Sequence, residues 1–247
     1  SIRVQNQLGA DIIMALDECP PLPADRAALT DAVRRTVLWA SRCRAAHQRP
    51  GQALYGIVQG GLDVALRRQC LKQLQEMGFA GYALGGLSVG ERPVEMWELL
   101  DAFADELPAD RPRYLMGVGT PRDLVEAVAS GVDQFDCVLP TRNGRKGYAF
   151  TSAGAVRLRN AAHRDATDPL DSACDCYTCR RFSRGYLRHL IMSGEALGAT
   201  LISIHNLRFY GRLMDAMRSA IEEDRFAAWR RTFLAGPAGG ASEENVE

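Results

Sequence analysis

Apolar residues along this chain fall into short runs of strand length, separated by longer stretches with helical spacing. Residues 11–16 (DIIMAL) predict a buried strand, followed by a turn at Pro20, Pro21 and Pro23 and a helix over about residues 25–47. Residues 53–58 (ALYGIV) predict the next strand, and Leu62, Leu66, Cys70 and Leu74 stripe the helix after it. The alternation continues with a strand at 81–84 entering Gly85 and Gly86, then a helix over about 94–107 and a strand at 113–118. A helix at 121–130, a strand at 132–139 and a further short strand within 148–158 complete the series. Two more helices are expected at about 207–222 and 224–234, then a Gly/Ala/Glu tail from Gly236 with the composition of a disordered segment.

Strand, loop and helix in strict alternation argue for parallel strands joined by crossover helices. The polar or conformationally special residues fall at the strand C-terminal ends: Asp17, Gln59, Gly85, Gly86, Met116 and Asp136. A (β/α)8 barrel builds its active site there. A doubly wound open sheet uses the same ends, so periodicity leaves both architectures open. About six strands are countable where a barrel needs eight. The chain also opens at Ser1 in what resembles the tail of a helix. The expectation is an α/β fold, an incomplete (β/α)8 TIM barrel. Residues 1–160 would carry the barrel elements and active site, 161–235 a zinc-binding subdomain with C-terminal helices, and 236–247 the tail.

Composition narrows the classes. A chain of 247 residues, 47% hydrophobic and 24% charged, can bury a full core. No apolar run is long enough to span a bilayer, so no membrane association is expected. The start, SIRVQNQLGADII, lacks a signal-peptide pattern, and the expected location is cytoplasmic. Thirty basic and thirty acidic residues cancel, so a nucleic-acid partner would need a local patch. The stretch from Arg142 to Arg188 is rich in arginine and supplies a candidate, although on charge alone a solvated mixed surface is the simpler reading.

Three of the seven cysteines, Cys174, Cys176 and Cys179, lie within six residues, which suggests a metal site rather than a disulfide framework. With His205 they make a complete tetrahedral set for zinc, with no position left open for substrate, and a closed site is structural. His163 and His189 are nearer in sequence and remain alternatives at this point. Residues 171–181 are too short and polar to form their own core, so a metal would pin them against the helix carrying the histidine.

Asp136 sits in the run FDCVLP, ahead of TRNGRKG, which is read as a loop with three cations. A strand-end carboxylate beside a basic loop suits attack on a sugar carbon while phosphates are held alongside. Asp17 in LDEC can pair bidentately with an amidine edge. Gln59 in VQGG offers a donor and an acceptor, and Gly85 and Gly86 allow a ligand close to backbone amides. Taken singly, each has an ordinary reading as a cap or turn residue; their shared position at strand ends changes the odds.

Together these stretches resemble the queuine tRNA-ribosyltransferase family, and specifically the C-terminal two-thirds of bacterial tRNA-guanine transglycosylases. LDEC, VQGG, YALGGLSVGE, YLMGVG, FDCVLPTRNGRKG, C-x-C-x2-C and the distal His205-Asn206 occur in that family's order, from Ser1 to about Leu234. The resemblance implies exchange of the wobble guanine in a tRNA anticodon loop for 7-aminomethyl-7-deazaguanine, with the target base flipped into a pocket. Asp136 would be the nucleophile on the ribose, and two inversions would give net retention. Asp17, Gln59 and the Gly86 amide would read the purine edge, Met116 would cover one ring face, and the Leu87 carbonyl, oriented by Glu91, would accept the aminomethyl group. Arg142 and Arg145 would contact flanking nucleotides. Val89 favours the bacterial precursor over the bulkier queuine. The resemblance also implies a structural zinc on Cys174, Cys176, Cys179 and His205, and a homodimer for the full-length protein. Another Asp, the family's proposed general acid/base, has no match in this chain, so the implied active site is incomplete. Two competing readings are a non-catalytic tRNA-binding subunit, which would be expected to lack Asp136, and a zinc-stabilised interaction domain, which leaves the strand-end constellation unexplained.

Overall fold

The computed structural model describes residues 1–240. The chain divides into two compact units, Ser1–Val118 with Glu126–Asp136, and Gly119–Val125 with Cys137 onward. The part of the expected tail beyond residue 240 lies outside the described residues.

The first unit begins with α1 (Ile2–Leu8) and continues β1 (Ile12–Met14), α2 (Arg26–Ala46), β2 (Ala53–Val58), α3 (Val64–Met77) and β3 (Gly81–Leu84). It goes on through α4 (Pro93–Phe103), β4 (Arg113–Leu115), α5 (Pro121–Ala129), inside which the unit boundary falls, and β5 (Gln134–Phe135). Helix starts are written locally: Asp25 caps α2 by accepting from Ala28 N at 2.7 Å, and Asp63 caps α3 by accepting from Leu66 N at 3.0 Å. The apolar stripe of α3 (Leu66, Cys70, Leu71, Leu74) is buried, as is all of β3, the pattern of a parallel strand covered on both faces.

The five strands form one parallel sheet in the order β1-β2-β3-β4-β5, with Ile13 opposite Leu54, Ile57 opposite Ala83 and Leu115 opposite Phe135. Each strand therefore pairs with its successor in sequence. A doubly wound sheet reverses direction at a switch point, and this one does not; it winds in one sense, as half of a (β/α)8 barrel does.

Three expectations change. The apolar run 132–139 contributes only Gln134–Phe135 to the sheet. The segment read as a basic loop is a helix, α6 (Leu139–Lys146), in the second unit, with Pro140 in its first turn and Gly147 ending it at φ 80°. The expected sixth strand is instead an antiparallel hairpin, β6 (Tyr148–Thr151) with β7 (Gly154–Arg157), because Gly154 at φ 102° lets the chain reverse within two residues.

The second unit continues with α7 (Tyr177–Arg181), α8 (Arg184–Met192), α9 (Ala196–Glu222) and α10 (Phe226–Ala235). Its core includes Ala149, Leu158, Leu170, Leu187 and Ile202. Glycine and asparagine are poor helix formers, yet α6 forms because α9 supports it. A Cβ at Gly144 would collide with Ser203, so the helices cross closely there. Asn206 donates to Pro140 O at 2.9 Å and Tyr148 O at 3.0 Å and accepts from Phe150 N at 3.0 Å, tying α6 and β6 to α9.

Candidate functional site

The loops after β1, β2 and β3 bring one cluster together. Gln59, 0% exposed, donates from Nε2 to Asp17 Oδ2 at 2.7 Å, while its Oε1 has no partner. A Cβ on Gly86 would collide with that Oε1, and one on Gly85 would meet Gln59 Nε2 and approach Asp17 Oδ2 to 3.4 Å. The two glycines are thus where the β3 loop closes on the Gln59 amide. Cys19 joins them: its thiol faces the Gln59 side chain and the Gly86 amide, and burial followed by the Asp17 charge pushes its pKa up. A buried amide oxygen without a donor, beside a carboxylate and a backbone N–H directed at a thiol, matches the edge of a planar heterocycle carrying both donors and acceptors.

The next loop segment, 87–91, is held by Glu91, which accepts from the amides of Ser88 and of Val89, the latter at 3.1 Å. With the Ser88 N–H turned to Glu91, peptide planarity directs the Leu87 carbonyl away from that carboxylate. Ser88 takes a left-handed conformation, φ 57°, to make this turn.

Asp136 follows β5. Its Oδ1 accepts from Tyr114 Oη at 2.6 Å and from Gly117 N at 2.8 Å, and the residue is exposed. Both bonds fall on one oxygen, which fixes the carboxylate, and Oδ2 takes part in neither. Burial, then the Asp136 hydrogen bond and charge, push the Tyr114 phenol far above its usual value, so it stays a donor at neutral pH. Met116 N donates to Leu84 O at 3.4 Å, which links this cluster to the β3 loop.

In the second unit, the ligand atoms of Cys174, Cys176, Cys179 and His205 all lie within 4.8 Å of one another, an arrangement that can hold a metal ion. His205 Nδ1 is 3.8 Å from Cys176 Sγ and 3.2 Å from Cys179 Sγ. Zinc–sulfur bonds of about 2.3 Å place two ligands of one tetrahedron roughly 3.8 Å apart, so the donor set fits. Nε2 of His205 lies 2.7 Å from Phe150 O, which holds the N–H on that nitrogen and leaves Nδ1 free to ligate. The loop is also stitched to α9 without metal: Arg208 makes two 2.7 Å bonds to Asp175, Arg212 donates to Ala173 O at 2.6 Å, and Thr178 donates to Leu201 O at 2.6 Å. His163 and His189 are outside this cluster.

The profile of the queuine tRNA-ribosyltransferase family matches residues 1–238. The chain belongs to that family. A queuine tRNA-ribosyltransferase of Azotobacter vinelandii is 52% identical over 235 residues, 95% of this chain and 63% of the relative. Those of Francisella tularensis subsp. novicida and Thiobacillus denitrificans are 51% and 52% identical, with 95% and 97% of this chain matched to 64% and 65% of theirs. The chain thus spans less than two thirds of the length of these relatives.

Within this member of the queuine tRNA-ribosyltransferase family, Arg142 and Arg145 lie on α6 and are exposed. Spaced by three, they share one side of that helix. Met116 is half-buried at the end of β4. Two residues at the site escaped the sequence reading. Tyr114 lies two positions before Met116, so strand alternation puts both on one face, a signal that was available. Arg67 lies fully buried beneath the Gln59 and Gly86 loops; an arginine inside an otherwise apolar helix stripe was its only signal.

Proposed function

We propose that this chain carries the base-exchange chemistry of a tRNA-guanine transglycosylase, replacing the wobble guanine of a tRNA anticodon loop with 7-aminomethyl-7-deazaguanine. The observation that carries the reading is the Asp136 carboxylate, exposed at a strand end with Oδ1 tied down by Tyr114 and Gly117, two bonds in which Oδ2 takes no part. A nucleophile must be held in one rotamer with a lone pair available, and this arrangement meets both needs. Oδ2 attacks the ribose C1′ as its bond to guanine N9 breaks, leaving a ribosyl ester. Guanine leaves with the N9 electron pair and takes a proton from water, and the incoming base gives its N9 proton to water as it attacks C1′ and releases the carboxylate, so two inversions restore the configuration.

Recognition of the bases falls to Asp17, Gln59 and the Gly86 amide, whose mutual packing supports a purine edge as ligand. Met116 covers the ring, and the Leu87 carbonyl, turned outward by the grip of Glu91 on Ser88, takes the aminomethyl group. Arg142 and Arg145 hold the RNA beside the target nucleotide. The ion suited to Cys174, Cys176, Cys179 and His205 is zinc, whose role is structural because protein ligands fill all four positions. Among the described residues no helix is long and apolar enough to cross a membrane.

Exchange of labelled guanine into cognate tRNA tests the reading, using protein with native Asp136 and with Asp136→Asn. With the family's general acid/base unmatched in this chain, exchange by the native protein is expected to be slow, and Asp136→Asn is expected to abolish it. Exchange that survives the substitution would rule out Asp136 as nucleophile.

A further inference from the structure

Beneath the purine-side cluster lies a buried cation that the exchange chemistry leaves unused. Arg67 sits on the inward face of α3 beside Leu66 and Cys70 and is 0% exposed. Among the described residues no carboxylate pairs with it. Its guanidinium donates instead to three backbone carbonyls: Nε to Gly61 O at 2.7 Å, Nη1 to Val58 O at 3.1 Å and Nη2 to Gly85 O at 3.0 Å. Burial pulls its pKa down to about 10, which still leaves it charged at neutral pH. Burying an ion without a counter-ion is unfavourable, and an apolar side chain of similar size would serve packing better. The three carbonyls share a location. Val58 and Gly61 flank Gln59 and Gly60 at the end of β2, and Gly85 precedes Gly86 at the end of β3.

Peptide planarity converts these bonds into an orientation. In a trans peptide the carbonyl and the following N–H point in opposite directions. Arg67 draws the Gly85 oxygen inward, so the Gly86 N–H faces the other way, toward the Cys19 thiol and the Gln59 side chain. Gly86, at φ 67°, has no side chain to hold this conformation. A charged donor on the carbonyl also polarises the N–H of the same peptide and strengthens it as a donor.

We propose that Arg67 is a positioning residue for base recognition, its buried guanidinium locking the Gly85–Gly86 peptide and the turn around Gln59 so that both present their polar groups to one purine edge. The ligand in this inference rests on the base-exchange reading; the peptide orientation does not. The test therefore has two arms, both on this chain with Arg67→Met and Arg67→Lys. In the ligand-free protein, Arg67→Met is expected to shift the Gly86 and Gln59 backbone amide resonances in a 1H–15N spectrum. In calorimetric titrations of folded protein with guanine, affinity is expected to fall by about two- to tenfold, the loss expected when the neutral hydrogen bond from the Gly86 N–H is weakened. Arg67→Lys should fall between, since one ammonium cannot span three carbonyls. A purely structural arginine would lower the melting temperature while leaving guanine affinity and the Gly86 resonance unchanged, and that result overturns the proposal. Should Arg67→Met fail to fold, Arg67→Lys decides by the same two readouts. Wild-type protein that binds no guanine would count against the base-exchange reading, while the Gly86 resonance still decides the role of Arg67.

Discussion

Gly86→Ala would place a methyl group where the structure has the Gln59 amide. Two costs add. Gly86 sits at φ 67°, a left-handed conformation that costs a residue with a Cβ about 1–2 kcal/mol. The new Cβ would also collide with Oε1 of Gln59, a side chain that is 0% exposed. Relief requires the amide to move, which stretches or breaks its 2.7 Å bond to Asp17 Oδ2. A hydrogen bond to a charged group contributes about 1.5–3 kcal/mol, so the substitution should destabilise the chain by roughly 2.5–5 kcal/mol in total. Urea denaturation followed by circular dichroism measures this directly. The same substitution in a Gln59→Ala background separates the two contributions. Without the amide the collision is gone, and only the backbone cost of about 1–2 kcal/mol should remain. A loss below about 1 kcal/mol in the native background, or equal losses in both, would refute the account of how these loops pack.

Tyr114→Phe should lower the rate of guanine exchange by about tenfold with little change in KM, because it loosens Asp136 without touching either base; steady-state kinetics decide, and an unchanged kcat counts against the arrangement. The same substitution has a pH signature. The folded-state pKa of Tyr114 is raised above its ordinary value of 10.0, so its contribution to stability is whole below that pH and drains away as pH rises beyond it. Stability of Tyr114→Phe should therefore decline less steeply above pH 10 than wild type, as read from alkaline melting curves. Cys179→Ser, or prolonged chelation, should strip the metal and cost at least several degrees of melting temperature; protein that holds no metal as purified would contradict the four-ligand site. Arg142→Ala and Arg145→Ala should each weaken tRNA binding and reduce the slope of log affinity against log salt by about one, with guanine affinity unaltered.

Legibility differed from residue to residue for identifiable reasons. Asp17, Gln59, Gly86 and Asp136 could be singled out as candidates because a βα unit puts its special residues at the strand C-terminus, and strand ends are readable from apolar run length. Sequence proximity alone could not select the fourth candidate metal ligand, since His163 and His189 are closer to the cysteines than His205; the family resemblance pointed to His205, and the structure groups it with them. His205 reaches them because α9 runs back along the loop, and its Nε2 is anchored to Phe150 O. The helix α6 was hidden by residues with poor helical propensity, since its support comes from α9 and from Asn206.

Local pattern was sufficient for most of the alternation of strands and helices and for the cysteine spacing, since each depends on neighbours within one or two helical turns. Long-range pairing decided everything else. The sequential strand order that separates a barrel-type winding from a doubly wound sheet is a property of hydrogen bonds between segments tens of residues apart. So is the Tyr114 clasp on Asp136, and the grip of Arg67 on carbonyls 6, 9 and 18 residues away also depends on packing, because a polar group's partner is whichever group the packed chain brings within about 3 Å.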